Sequence, residues 1–333
     1  MNAAQKLFSL FKLSTPLVYV DAGAMGGVAG YWQKLNPLVH VVAFEPDQRE
    51  FAKLKSTERT SYLPYALHDT RMALAFYVSR QAGKSSVYRP DHSVIDDFAD
   101  AKRYETVQEL VVPQDRVRTL DEALHETKYS RVDFIKLDTQ GSELSILKGG
   151  LNALKYAFGV EVEVEFLKLY EGQPLFRDVD GFLDERGFQC VDIRRAFWKR
   201  KDFHQYIGRG QLVFGDALYF RREDAFLDSL VDLDPWQKTE KIIKAVMICM
   251  VYRLPDMAVS LIGKAFVRKY FDDHERQMSV HAVRQEATRW GLPWLPGRVW
   301  LARAFNRLSE ILRPASFLGW ADGDRHIANT RNR

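Results

Sequence analysis

Residues 132–150 read VDFIKLDTQGSELSILKGG. The apolar run Val132–Leu137 is a buried strand, and it delivers Asp138 to the edge of a sheet. Gly141 permits a sharp turn into a helix around Ser142–Gly149, and Glu143 falls in its first turn, where a carboxylate complements the helix dipole. Glu143 reads equally as a cap and as a catalytic acid, whereas Asp138 reads as functional.

Working outward, strands and helices alternate. Leu17–Asp21 is a strand followed by the Gly-rich turn Gly23–Gly30, and Val39–Glu45 is a second strand with a helix around Asp47–Lys55. Ser61–Leu67 is a shorter third strand, and Ala73–Ser79 is extended. Gly159–Phe166 alternates strictly, a helix near Leu175–Arg186 follows, and Phe188–Arg194 and Gln211–Arg221 close the series. This spacing specifies a mostly parallel sheet covered on both faces. Between the last two strands, Arg195–Gly210 is basic and aromatic and too short for an ordinary crossover helix, so they form an antiparallel pair. A parallel sheet ended by such a pair is the outline of a class I methyltransferase, whereas dehydrogenase Rossmann domains stay parallel.

The chain has 333 residues, 46% of them hydrophobic and 28% charged, which excludes disordered, collagen-like and disulfide-scaffold classes. Two cysteines, Cys190 and Cys249, fit a reducing compartment, so the expected location is cytoplasmic. No apolar run reaches the length of about 18 residues that a membrane span needs. Residues 1–14 read as a short amphipathic helix and not as a secretory signal. Past about Arg222 the strand signals stop. Trp236–Tyr252, Asp256–Tyr270, Asp272–Trp290 and Arg298–Arg313 read as helices, and the tail from Ala321 is expected to fray. Residues 225–333 hold 17 Lys+Arg and 12 Asp+Glu, so the whole basic excess of +4 sits in this part. The expected division is therefore 1–14, a catalytic domain over 15–223, and an Arg/Trp-rich helical extension over 224–333.

The turn Asp21-Ala22-Gly23-Ala24-Met25-Gly26-Gly27 follows the first strand, where an open α/β sheet binds nucleotide-like ligands. Met25 breaks the G-x-G-x-x-G pattern, so a pyrophosphate is poorly cradled, while an adenosyl amino acid needs no such approach. Glu45 lies 22 positions after Gly23, the spacing of an acid that bonds ribose hydroxyls, and Pro46 stops the strand behind it. Acid and turn together fit a nicotinamide cofactor or S-adenosyl-L-methionine (SAM). No Cys/His cluster has metal-ligand spacing.

In this order, VYVDAGAMGG, VVAFEPD, LPYALHD, VDFIKLDTQGSELSILKGG, VEVEFLKLYEGQPLF and GDALYFRR resemble the FkbM family of SAM-dependent methyltransferases over residues 15–223. The resemblance implies a class I fold and methyl transfer from SAM, usually to a hydroxyl oxygen. It also implies that Asp21, Gly23, Ala24 and Gly27 line the SAM site, that Glu45 binds the ribose, and that Ala66 and Leu67 lie beside the adenine. Met25 stands where the family commonly has Asn, and nothing of the family carries over to 224–333.

The sulfonium supplies an electrophilic methyl, so the protein must align an oxygen and remove a proton. Candidate bases are Asp138, His68 and Glu165, with Asp138 first and His68 best matched in pKa to neutral pH. Glu161, Glu163 and Glu165 share one strand face, which usually means a solvated face. Lys84–Tyr88 and Phe197–Lys201 are expected to overhang the site, suiting a sugar or another polyol as acceptor. Trp290, Trp294, Trp300 and Trp320, interleaved with arginines, make 290–320 a candidate surface for a peripheral membrane contact or for self-association. The charge excess is too modest and dispersed for nucleic acid. The resulting expectation is an O-methyltransferase acting on a hydroxyl. A nicotinamide-dependent oxidoreductase and an inactive methyltransferase-like scaffold are the alternatives.

Overall fold

The computed structural model describes residues 2–129, 131–202, 208–290, 295–312, 320–321, 324, 326–328 and 330. Its strands, in chain order, are β1 Leu17–Ala22, β2 Val39–Phe44, β3 Thr60–Leu63, β4 Ala66–Leu67, β5 Leu74–Ser79, β6 Thr106–Val112, β7 Val117–Arg118, β8 Phe134–Leu137, β9 Gly159–Glu165, β10 Phe188–Trp198, β11 Gln211–Arg221 and β12 Trp320–Ala321. Eight of these form one sheet in the order β12-β10-β11-β9-β8-β1-β2-β3. The β9-β8-β1-β2-β3 run is parallel, and β11 is antiparallel to both β9 and β10. The fold is therefore the expected α/β class I methyltransferase sheet with a closing antiparallel pair. Chain order reverses between β1 and β8, and such a switch point opens a crevice at the carboxyl ends of the strands.

Alternate residues of each central strand feed two cores. Val18, Val20, Val160, Val162 and Val164 pack with the helices Leu120–His125, Glu143–Lys148, Leu151–Tyr156 and Phe176–Asp184. Tyr19, Phe134 and Phe220 face the other way. The segments after β1 and β2 form helices of only four residues, Gly30–Gln33 and Gln48–Phe51, the latter shorter than the expected Asp47–Lys55. Stubs of that length cannot cover a sheet face. The C-terminal helices Pro235–Val251, Pro255–Val267 and Asp273–Ala287 and the N-terminal helix Ala3–Leu10 cover it instead, in one continuous core.

A buried ion pair fixes the first of these helices. Lys241 Nζ lies 2.6 Å from Asp133 Oδ1 and donates to Val132 O at 2.9 Å, while Val18 N–H donates to Asp133 Oδ2 at 2.8 Å. Tyr252 Oη donates to Glu161 Oε2 at 2.6 Å, which ties the end of the same helix to β9.

Ala73–Ser79 is extended as expected, as β5, which pairs with β6 in an antiparallel ribbon outside the main sheet. Several local expectations are corrected. β10 runs on to Trp198, so Phe197 and Trp198 are buried in the sheet and do not overhang the site. The described part of the tail does not fray: Ile327 is buried and Asp324 pairs with Arg195. Glu161, Glu163 and Glu165 do not form a solvated face, because β9 is an interior strand and all three are buried. Among the described residues, no helix is long and apolar enough to cross a membrane.

Candidate active site

The crevice at the switch point is a cavity of about 390 Å³. The loop after β1 forms its floor with backbone. Gly23, Gly26 and Gly27 have φ values of +83°, +79° and +85°. Gly23 N–H and Ala24 N–H donate to Phe44 O at 3.0 and 3.1 Å. A Cβ on Gly23 would lie 1.9 Å from Asp138 O, so this loop and the loop after β8 touch where only glycine fits. Met25 caps the rim, half-exposed, against Gly83.

Glu45 projects from the end of β2 and is 6% exposed. One oxygen accepts from Asp47 N–H at 2.9 Å, and burial pushes the carboxyl up to about 7. Phe44, Ala66, Leu67 and Ile146 add an apolar wall.

The loop after β8 supplies side chains. Asp138 opens to the cavity with its side chain 38% exposed, and Lys136 Nζ lies 3.7 Å from Asp138 Oδ2 and 3.5 Å from Asp21 Oδ1. Burial disfavours the Lys136 charge, but Asp21 and Asp138 outweigh it and hold the ammonium well above its ordinary pKa. Burial likewise works to raise Asp138, yet Lys136 and Lys84 draw it below the usual carboxylate range. Asp138 is thus held ionised beside the cavity.

Gln140, with φ +58°, joins this carboxylate to the rest of the wall. Its Nε2 donates to Asp138 Oδ1 at 3.1 Å and to Glu163, while its Oε1 accepts from Lys84 Nζ at 3.1 Å and Tyr170 Oη at 3.2 Å. Burial and then the Asp138 charge raise Glu163 well above its ordinary value. The neighbouring acids are therefore shifted in opposite directions, Asp138 down and Glu163 up. Arg194 and Asp216 form an ion pair at the far wall, with Arg194 Nε 2.6 Å from Asp216 Oδ2.

Glu143 turns back as a clamp. Thr139 N–H and Gly141 N–H donate to its two oxygens at 2.6 and 2.9 Å, and the carboxyl is raised to about 7 by burial and, less, by Asp138. Of its two readings, the geometry shows the structural one.

The cavity brings together Gly23, Met25, Gly27, Glu45, Pro46, Ala66, Leu67 and Asp138, and the expected overhang Lys84–Tyr88 contributes Lys84, Ser85 and Val87. Four expected residues are not on the lining. Asp21 lies beneath it, 2% exposed and paired with Lys136, and Ala24 packs into the core below. His68 follows a strand of only two residues, and its Nδ1 lies 2.8 Å from Asp69 Oδ1, away from the cavity. Glu165 is buried behind the wall, where burial and the Glu143 charge raise it well above its ordinary value.

Lys136, Gln140, Glu163, Arg194 and Asp216 also line the cavity, beyond the expected site residues. For Glu163 a signal existed, since an acid two residues from the carboxyl end of an interior strand cannot be solvated.

Residues 21–190 match the model of the FkbM methyltransferase domain, just over half of the chain. The chain belongs to this family. It is 25% identical over 184 residues to the 2-O-methyltransferase NoeI of Sinorhizobium fredii, covering 54% of this chain and 75% of that one. It is 27% identical over 203 residues to Methyltransferase 1 of Beauveria bassiana, covering 56% and 78%. Similar solved structures include M. capricolum TrmK with S-adenosylhomocysteine, at 9% identity and TM-score 0.31 over 85% of this chain and 96% of that one. The putative RNA methyltransferase PH1948 of Pyrococcus horikoshii aligns at 14% identity and TM-score 0.27 over 66% and 81%.

SAM is the cofactor of this family, and the cavity fits it. An open glycine floor, a buried carboxylate with one oxygen unclaimed by the backbone, and an apolar wall match an amino acid, a ribose diol and a purine in turn.

Proposed function

We propose that this methyltransferase transfers the SAM methyl to a hydroxyl oxygen of a sugar or another polyol. The observation that carries the reading is Asp138, an ionised carboxylate facing the cavity directly beside the glycine floor. A hydroxyl acceptor needs a base or an orienting acceptor at that point, whereas an amine acceptor would need no such group once neutral. The 2-O-methyltransferase relative supports the same reading.

In this proposal Gly23, Met25 and Gly27 seat the cofactor, Glu45 and Pro46 hold its ribose end, and Ala66 and Leu67 flank its base. Asp21 acts from below by holding Lys136. When bound, SAM supplies the electrophilic methyl. Asp138 accepts the hydrogen bond of the acceptor hydroxyl and takes its proton as the oxygen is alkylated. Lys136 keeps Asp138 ionised beforehand, and Gln140 fixes its orientation. Residues 15–223 carry this chemistry, and the helices after 224 complete the sheet's cover.

The test is incubation with methyl-labelled SAM and fractionated extracts or polyol libraries. Label in an alkali-stable, ether-linked product supports the reading. Label confined to amines or thiols contradicts it.

A further inference from the structure

The helix Arg298–Ile311 differs from the three before it. Trp300, Leu301, Phe305, Leu308 and, just past its end, Leu312 are 45–71% exposed. At 100° per residue these positions fall in a single arc about 140° wide on a rod about 21 Å long. Arg307 borders the arc on one side beside Trp300, with Arg303 next to it, and Arg298 borders it on the other. Of the candidate surface 290–320, residues 291–294, Trp294 among them, and 313–319 lie outside the described residues.

We infer that Arg298–Ile311 lies flat on an anionic lipid surface. The apolar arc enters the headgroup boundary, Trp300 sits at the boundary, and the arginines reach to lipid phosphates. Charge selects this occupant over a second copy of the chain. Pairing two such arcs would set the bordering arginines of one copy against the same arginines of the other, and the helix offers one acid, Glu310, against three arginines. A surface of anionic headgroups meets Arg303 and Arg307 with the opposite charge, worth about 1 kcal/mol per arginine near the membrane.

The experiment is sedimentation of the full chain with vesicles of phosphatidylcholine mixed with phosphatidylglycerol, and with vesicles of phosphatidylcholine alone. Partitioning is expected to be about tenfold stronger on the mixed vesicles. Phe305→Asp with Leu308→Asp should reduce it at least about tenfold, because both side chains would carry charge into the boundary. Arg303→Glu with Arg307→Glu should remove the preference for the mixed vesicles. Unchanged melting and SAM binding in both variants would show that the fold is intact. Absence of wild-type sedimentation, or equal sedimentation of wild type and the Phe305/Leu308 variant, overturns the inference. A dimer seen by light scattering and lost in that variant, without vesicle binding, would assign the arc to self-association instead.

Discussion

The loop after β1 offers backbone to the cavity, whereas the loop after β8 offers side chains. In the first, three glycines hold positive φ and the one acid, Asp21, is buried below the floor. In the second, Asp138 and Gln140 form a hydrogen-bonded set with Glu163 and Lys84, while Glu143 clamps the backbone N–H groups of Thr139 and Gly141. A backbone floor accepts any ligand of the right shape and has no proton to exchange. A side-chain wall can tune charge. On the proposed function, binding and chemistry are divided between neighbouring strand ends, and the contact of Gly23 with Asp138 keeps the two loops in register.

That division can be broken in graded ways. Gly23→Ala should have the largest effect. With a Cβ 1.9 Å from Asp138 O and φ at +83°, the loops must part, and SAM affinity should fall at least about a hundredfold by calorimetry. Glu143→Ala should come next, because the Thr139 and Gly141 N–H groups lose their acceptor inside the protein. A loss of about 2 kcal/mol is expected in denaturant titration, with Glu143→Gln recovering only part of it, because its amide nitrogen cannot accept the second N–H.

Glu45 sharpens the comparison through pH. Its carboxyl is raised to about 7, and ribose hydroxyls donate to the ionised form, so binding draws the group toward ionisation. SAM affinity should therefore rise as pH climbs to about 7 and level off above it, and Glu45→Gln should flatten the profile. Without cofactor the sign reverses. Between its ordinary value of 4.5 and about 7 the folded state holds the extra proton, so the Glu45 contribution to stability declines as pH rises through that window. Gly26→Ala should have the smallest effect. It shares the positive φ of Gly23, but a Cβ there meets nothing within 4 Å, so only a backbone cost of about 1–2 kcal/mol is expected.

The floor was legible in the sequence because a Gly-rich turn after an apolar strand, with an acid 22 positions on, is a local pattern. The wall was only partly legible. Asp138 announced itself by ending the run Val132–Leu137, but Gln140 and Lys84 are 56 residues apart and meet only through the fold. The acids of β9 were misread as solvated because alternation shows which residues share a face and not what covers it. The covering helices lie after residue 234, beyond the family pattern, and their apolar faces did not disclose which sheet face they would close. His68 was attractive as an imidazole just after a strand, yet a two-residue strand gives no alternation from which to aim a side chain.

On the proposed function, Asp138 does the chemistry and the glycine floor does the binding. Asp138→Asn separates the two, with SAM binding followed by calorimetry and methyl transfer by label incorporation into product on one preparation. SAM affinity is expected to stay within about threefold of wild type, with methyl transfer reduced about a hundredfold or more. Methyl transfer at the wild-type rate by the Asp138→Asn protein would contradict it.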